Sequence, residues 1–469
     1  MKPSLPFLAA ASLLFGLWTH AAETAAPSWT TATEILQRIK APQFPDRKFS
    51  ITDFGAVADG KTDATAAIRQ AIDACHQAGG GMVVVPAGEF FTGAIHLRSN
   101  VNLHVSEGAT LRFSTDPQAY LPVVRSRWEG IECMNYSALI YAFEQENIAV
   151  TGRGTLDGAA SLDNWWGWAQ KRPDGSSRAS SDVRQLNEYG DQGVPVEQRL
   201  FGEGHLLRPN FFQPYRCRNV LIEGVKIRRS PMWEINPVLC TNVIVRNLDI
   251  VTHGPNNDGC DPDSCRDVLI EGCVFDTGDD CIAIKSGRND DGRRVGVPSE
   301  NLIIRDCTMK DGHGGVVIGS EIAGGCRNVF VENCRMDSPN LERALRFKSN
   351  ARRGGLLENI FMRNVTIGQV AEAIITVDFL YEEGAKGAHR PVLRNVQLEN
   401  VVSQSSPRVL YIASFPGATV DGITIKDSRF AGVETAEYVQ HAGRITFEGV
   451  TILPAKLPRS LSSRPPQGD

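Results

Sequence analysis

A short phrase, a polar pair followed by a run of mostly apolar residues, returns along most of the chain. It reads Arg218-Asn219-Val220-Leu221-Ile222, Thr241-Asn242-Val243-Ile244-Val245 and Arg266-Asp267-Val268-Leu269-Ile270, and continues over 300–304, 327–331, 358–362 and 394–398. Weaker copies follow at Asp421-Gly422-Ile423 and Gly443-Arg444-Ile445. The second residue of each copy falls at 219, 242, 267, 301, 328, 359, 395, 422 and 444, so the steps are 23, 25, 34, 27, 31, 36, 27 and 22 residues. A period in this range marks stacked repeats and not one closed core. The runs are short and rich in β-branched residues, which reads as strand and not helix. Short strands at one coil per step predict an all-β, single-domain, right-handed parallel β-helix, with coils roughly 4.8 Å apart. An immunoglobulin-like sandwich also has many short strands, but it would favour hairpins over this repeated phrase. The unequal steps imply loops of unequal length, and such loops build grooves.

The residues before the repeats predict a cap. A helix is expected over roughly 63–77, with Thr62 or Asp63 as N-cap and a one-sided stripe of Ala67, Ile68, Ala71, Ile72 and Cys75. Gly79-Gly80-Gly81 follows the helix and so reads as its C-terminal turn, not as a phosphate loop. This lone helix would cover the open N-terminal end of the solenoid, with early coils at 82–86 and 103–105. Residues 159–214 interrupt the repeat. Their Trp165, Trp166 and Trp168 read equally well as a packed loop or as a groove wall offering flat surfaces to sugar rings. At the N-terminus, Lys2, the apolar run from Leu5 to Trp18 and the small Ala21 and Ala22 have the shape of a secretory signal peptide over 1–22. The run is shorter than the ~20 apolar residues of a membrane span. An arm over 23–48 with a helical piece at 33–39, the β-helix domain over 49–453 and a disordered proline-rich tail over 454–469 complete the expected organisation. The expected product is a secreted or periplasmic monomer with no membrane span after signal removal.

Between the repeats lie four polar landmarks: Asn256-Asn257-Asp258, Gly278-Asp279-Asp280, Gly312-His313-Gly314 and Arg346-Phe347-Lys348. Asp279 comes 12 residues after Asp267 and His313 comes 12 after Asn301, so they should hold equivalent places one coil apart; Asp258, 16 after Asn242, belongs to the coil on the other side. Crowding among the carboxyls should raise the proton affinity of at least one of them. One protonated carboxyl beside ionised ones can cleave a glycosidic bond. Taken singly, each Gly-Asp pair is as readily a turn; four landmarks in order at coil spacing are not.

Composition adds two points. The net charge of −5 suggests no nucleic-acid partner, yet Lys285, Arg288, Arg293, Arg294, Lys310, Arg343, Arg346, Lys348, Arg352 and Arg353 crowd the landmark region. Such a strip suggests an anionic ligand. The 11 cysteines are odd in number. Cys273, Cys307 and Cys334 should form an inward ladder, and Cys260 and Cys265 are near enough in sequence to pair. No spacing resembles a zinc site, so no metal and no cofactor is expected.

The four landmarks in order, with Ser230-Pro231-Met232-Trp233 before them, resemble glycoside hydrolase family 28, the polygalacturonases and their relatives in the pectin-lyase-like superfamily. The resemblance spans about 49–453 and implies an inverting hydrolase of α-1,4-galacturonan in pectic polysaccharide. It implies Asp279 as general acid, Asp258 and Asp280 as the holders of the attacking water, and His313 as a tuner of the acid. Arg346 and Lys348 would bind a galacturonate carboxylate, Asn256 would position substrate, and Tyr381 is a further substrate-binding candidate. Asn257 stands where Thr is usual and Phe347 where Ile is usual. Relatives acting on rhamnose-galacturonate chains tend to lack the histidine and the cationic pair, so plain galacturonate is expected over rhamnogalacturonan or xylogalacturonan. The Trp-rich insertion and the 285–294 loop resemble bacterial members that trim chain ends, so exo action is expected. A calcium-dependent pectate lyase, with calcium on the three aspartates, and a non-enzymatic polysaccharide-binding solenoid are the rivals.

Overall fold

The structure, a computed structural model, describes residues 27–455. The second residue of each repeated phrase is where a coil turns. Asn219, Asn242, Asp267, Asn301, Asn328, Asn359 and Asn395 all have positive φ, between 55 and 62°. Asn and Asp tolerate this left-handed conformation better than most side chains. Their amides then form a ladder from coil to coil. Asn242 Nδ2 donates to Asn219 Oδ1 at 2.8 Å, Asn328 to Asn301 at 3.0 Å, Asn359 to Asn328 at 3.1 Å and Asn395 to Asn359 at 2.7 Å.

From these corners the strands run in parallel register, Val220 against Val243, Val243 against Val268, Val268 against Leu302 and Leu302 against Val329. The result is the expected right-handed parallel β-helix, with a 24-stranded sheet along its length and a six-stranded sheet on another face. The first and third apolar residues of each phrase fill the interior: Val220, Ile222, Val268 and Ile270 are fully buried. Cys273, Cys307 and Cys334 stack inside as a ladder, and all 11 cysteines are buried and free, so Cys260 and Cys265 are not paired. Each of the two occupies its own inward position, packed as a small apolar side chain.

The middle apolar residue of each phrase points outward, and it too is covered. Helix α1 (Trp29–Arg38), capped by Ser28, lies across the outer face. Its Ala32 and Ile35, with Ile39, pack on Ala149, Leu221, Ile244, Leu269, Ile303, Phe330 and Phe361. The arm is therefore a strap, and its helix is longer and begins earlier than the piece expected at 33–39. Helix α2 (Thr65–Gln77) does cap the N-terminal end, with Ala67, Ile68, Ala71, Ile72 and Cys75 in the core and Asp63 accepting from the Thr65 amide at 2.8 Å. It is not alone, since α3 (Trp165–Ala169), α4 (Ser180–Asp191) and α5 (Asn289–Val295) lie in the loops.

In the 159–214 insertion Trp165 and Trp168 are buried against each other, ring centroids 4.8 Å apart, as the packed-loop reading has it, while Trp166 is half-buried and its indole donates to the Ser230 carbonyl at 2.8 Å. Among the described residues an antiparallel hairpin, Val124–Trp128 with Ile131–Asn135, is the exception to parallel pairing and was not legible in the repeat. The last strand, Thr451–Pro454, takes in the first residue of the expected tail; the rest of that tail and the signal peptide over 1–22 lie outside the described residues.

Because Ile35 is fully buried between strap and sheet, Ile35→Ala is predicted to destabilise the fold by about 2–5 kcal/mol, measured by denaturant unfolding.

Candidate active site

On the face carrying the short strands, pairing thins to single bridges at two coils, Ile235 to Cys260 and Cys260 to Ile282. The backbone there is free to turn side chains outward, and three coils each contribute one landmark. The Asp279 amide donates to the Asn257 carbonyl at 3.3 Å, the Gly259 amide to the Asp280 carbonyl at 3.0 Å and the His313 amide to the Asp279 carbonyl at 3.1 Å. Stacking therefore brings Asp258, Asp279, Asp280 and His313 together as the spacing anticipated. Carboxylate oxygens of the three aspartates lie within 4.8 Å of one another. Gly312 is needed for this approach: at φ +155° a Cβ on it would sit 2.7 Å from the Asp279 carbonyl oxygen.

Asn257, the departure from Thr, is a buried tie. Its Oδ1 accepts from the Thr252 hydroxyl at 2.5 Å and the Gly254 amide at 2.7 Å, and its Nδ2 donates to the carbonyls of Ser230 and Met232, both at 3.1 Å. It thereby locks the Ser230–Trp233 turn beneath Asp258.

The three carboxyls sit in different surroundings. Asp258 is buried with Oδ1 unpartnered and Lys285 Nζ 3.8 Å from Oδ2. Burial first, then the charges of Asp279 and Asp261, push its proton affinity well above the ordinary aspartate value. Asp280 is fully buried, with Lys348 Nζ at 2.7 Å and Arg346 at 4.0 Å. Asp279 is the most open of the three, its side chain 19% exposed, and accepts from His313 Nδ1 at 2.9 Å. Burial alone would raise it, but the hydrogen bond and charge of His313 bring it down to about 2. His313 is correspondingly raised by that hydrogen bond. Of the three, Asp258 is thus the carboxyl on which burial most favours a proton, while the Asp279–His313 pair favours its proton on the imidazole.

A cavity of about 90 Å³ opens beside Asp279, bounded by Glu129, Trp233, Asn256, Asp258, Lys285, Arg288, Ser320, Glu321, Lys348, Tyr381 and Glu382. Asn256, Lys348 and Tyr381 all reach it, and Arg346 and Lys348 lie 5.8 and 5.5 Å from the Tyr381 ring centre. On the other side of Asp279 an open groove of about 540 Å³ runs past His253, Asp311, His313, Asn340 and Glu372. A larger surface cavity, about 930 Å³ beside His104, Arg153 and Lys226, holds none of the landmarks.

One end of the small cavity is closed by three loops meeting at Arg288. Its guanidinium lies 3.4 Å from Glu129 at the hairpin tip, 3.4 Å from Glu321 and 3.1 Å from Glu382. Burial raises the Glu129 carboxyl to about 7 against the pull of Arg288. Lys285 meets Glu321 at 3.0 Å and lies 4.7 Å over the Trp233 ring. The basic strip read from the sequence therefore divides. Lys285, Arg288, Arg346 and Lys348 belong to the site, whereas Arg293, Arg294, Arg352 and Arg353 are engaged with Asp290, Asp291, Asp191 and Glu382 in loop packing. Glu129, Glu321, Glu382 and Arg208 were missed, since they lie in loops outside the repeat and only folding brings them here.

The aspartate triad could hold a divalent cation by oxygen count, but Lys348 and Lys285 already stand at 2.7 and 3.8 Å as its counter-charges.

The model of Glycosyl hydrolases family 28 matches residues 202–443, and that of Rhamnogalacturonase A/epimerase, pectate lyase-like matches 48–108. Among solved structures, a hyperthermoactive exopolygalacturonase from Thermotoga maritima is 46% identical, with a TM-score of 0.87, over 90% of this chain and 96% of that one. A probable polygalacturonase of Vitis vinifera is 28% identical over 81% of this chain and 73% of its own length. An exo-poly-alpha-D-galacturonosidase of Dickeya chrysanthemi is 28% identical over 71% and 57%.

The Asp279–His313 pair gives a pH prediction. Asp279 is held below its ordinary 3.8, so its stabilisation is present above that value and lost as pH falls towards 2; His313 is held above 6.5, so its share is present below 6.5 and lost as pH rises past its raised value. The stability gap between the native protein and His313→Ala should be widest between about pH 4 and 6.5 and shrink on both sides, read from urea midpoints.

Proposed function

The chain belongs to glycosyl hydrolase family 28, and on that premise we propose that it is an exo-acting polygalacturonase, releasing galacturonate from the end of an α-1,4-galacturonan chain. The observation that carries the exo reading is the cavity closed by Arg288 and its three glutamates beside Asp279, with an open groove on the other side. On this reading the terminal sugar enters at the closed side and the rest of the chain leaves along the open one.

The chemistry follows from the surroundings of each carboxyl. Asp279 is the one a leaving oxygen can reach, and His313 orients it, so Asp279 is the proton donor. Asp258 and Asp280, each with an unpartnered buried oxygen, hold the attacking water. The donor's proton is shared within the coupled Asp258–Asp279 pair. Burial favours it on Asp258 in the empty site, and it must sit on Asp279 when the bond breaks, which frees Asp258 to take the proton of water. Lys348 and Arg346 stand at 2.7 and 4.0 Å from Asp280 and, with Tyr381, face the carboxylate of a sugar beside the cut. Carboxyls this close are tighter than the ~6.5–9.5 Å common in inverting glycosidases. Inversion is therefore supported by the family and not by the spacing, and the anomer first formed, followed by NMR, tests it.

Asp279→Asn is predicted to lower kcat on polygalacturonate by ~10²–10⁴-fold with the fold kept, the unfolding midpoint falling only by the lost Asp279–His313 interaction. The native enzyme should release monomer from the first time point and be indifferent to EDTA. A ladder of oligomers would mean endo action; loss of activity in chelator with unsaturated products would mean a calcium-dependent lyase. The apolar segment 5–18 further supports action outside the cytoplasm; N-terminal sequencing of the exported protein should begin near residue 23.

A further inference from the structure

The cations around the closed cavity differ in what neutralises them. Lys348 has Asp280 at 2.7 Å, Lys285 has Glu321 at 3.0 Å, Arg288 is shared by three glutamates, and Arg346 lies 4.0 Å from Asp280. Arg208 stands apart. It is only 2% exposed, and among the described residues its guanidinium meets neutral oxygens alone. Nη1 donates to the carbonyls of Pro231 at 2.7 Å and Pro255 at 2.6 Å, and Nη2 donates to Asn256 Oδ1 at 2.6 Å. A buried charge with no partner of opposite sign is costly, and most such charges are paired. The cost shows in Arg208 itself, which burial brings down to about 10 although Glu129, Asp258 and Asp279 oppose the change from a distance.

Asn256 links this charge to the cavity that it lines. Its Oδ1 is occupied by Arg208, so the amide nitrogen is the end left to face a ligand. That end offers two N–H donors backed by a full positive charge, an arrangement suited to an anionic acceptor. The chain keeps this pair in place through the left-handed Asn256, φ +55°, and through Trp128, whose indole donates to the Arg208 carbonyl at 3.0 Å.

We propose that Arg208 is a positioning residue that, through Asn256, presents donors to the carboxylate of the uronic acid in the closed cavity and so selects a uronide over a neutral hexose there. The proposal rests on the cavity being the seat of the terminal galacturonate. Two sugars flank the cut and each brings a carboxylate. Asn256, Lys348 and Tyr381 line the same cavity, so the carboxylate of the sugar seated there meets both the Lys348 ammonium and the Arg208-backed amide of Asn256, and the incoming anion supplies the counter-charge that Arg208 lacks.

The test compares the native enzyme with Arg208→Gln, Arg208→Lys and Asn256→Ala. The substrates are p-nitrophenyl α-D-galacturonide and the matching α-D-galactoside, with D-galacturonate and D-galactose as inhibitors. Arg208→Gln and Asn256→Ala should raise KM for the galacturonide and the inhibition constant of galacturonate by at least ~30-fold. They should lower kcat much less and leave the galactose and galactoside values essentially unchanged, and Arg208→Lys should recover part of the loss. Equal losses on charged and neutral sugars, or a fall in kcat with KM unmoved, would overturn the proposal. Should Arg208→Gln fail to fold, Asn256→Ala decides alone, since it removes the reading arm without emptying the buried position. A native enzyme that ignores the galacturonide while cleaving the galactoside would instead overturn the assignment of the cavity, whatever the variants do.

Discussion

Parallel register between coils is the constraint on which everything else in this molecule depends. Three backbone hydrogen bonds, Asp279 to Asn257, Gly259 to Asp280 and His313 to Asp279, hold residues 21 to 34 positions apart in the sequence at one coil's separation. No single loop could do this with the same rigidity, because a loop's own entropy opposes a fixed geometry. Here the geometry is inherited from a sheet that must form anyway to bury Val268, Ile270, Leu302 and Ile304. Slipping one coil by a single residue would turn its interior outward, so the register that makes the core also makes the site.

The site's electrostatics follow from that compression. Carboxyls brought within 4.8 Å in a buried place cannot all carry charge without compensation. The fold answers with two buried lysines of different function. Lys348 is committed to Asp280 at 2.7 Å, while Lys285 stands off Asp258 at 3.8 Å and gives its closest contact to Glu321. Asp258 is left under-compensated and its proton affinity is raised, whereas Asp279, nearer the groove, is compensated by a histidine that can itself lose or gain a proton. A cluster with one tightly paired carboxyl, one on which burial favours a proton and one adjustable pair suits a reaction in which a proton must change places.

How much of this the sequence disclosed depended on whether the repeat carried it. Asn242, Asn301, Asn328 and their counterparts announced the coils, because a left-handed corner and a side-chain ladder both demand the same residue type at each step. Asp258, Asp279, Asp280 and His313 were legible for the same reason: one per coil, at countable intervals. What lay outside the period was silent. The outward middle residues of the phrases, such as Leu221 and Ile244, looked like the ordinary filling of strands, and nothing in their pattern said that helix α1 would cover them. Trp165 and Trp168 suggested sugar-stacking surfaces but bury each other, since large aromatics in a long insertion serve as its own core. Glu129 sits at the tip of a hairpin whose antiparallel pairing breaks the rule of the fold, and Arg208 is one arginine among many until its burial and its lack of a carboxylate are seen.

The closed end of the cavity is built differently from the coils beside it. The catalytic coils need only stack; closing the cavity needs the hairpin at 124–135, the loop carrying α5 and the turn at Glu382 to converge from different parts of the chain. Arg288 is where they converge, and the packing behind it is charged as well: Arg199 meets Asp291 at 2.7 Å and Arg353 meets Glu383 at 3.0 Å. Buried pairs of this kind add little net stability over apolar packing, but breaking one partner leaves a stranded charge and is strongly unfavourable. The wall is thus held more by the penalty for opening than by the gain of closing. Such a wall suits a surface that must stop a polyanionic chain, because it presents fixed charges of both signs to the first sugar and no continuous path to a second.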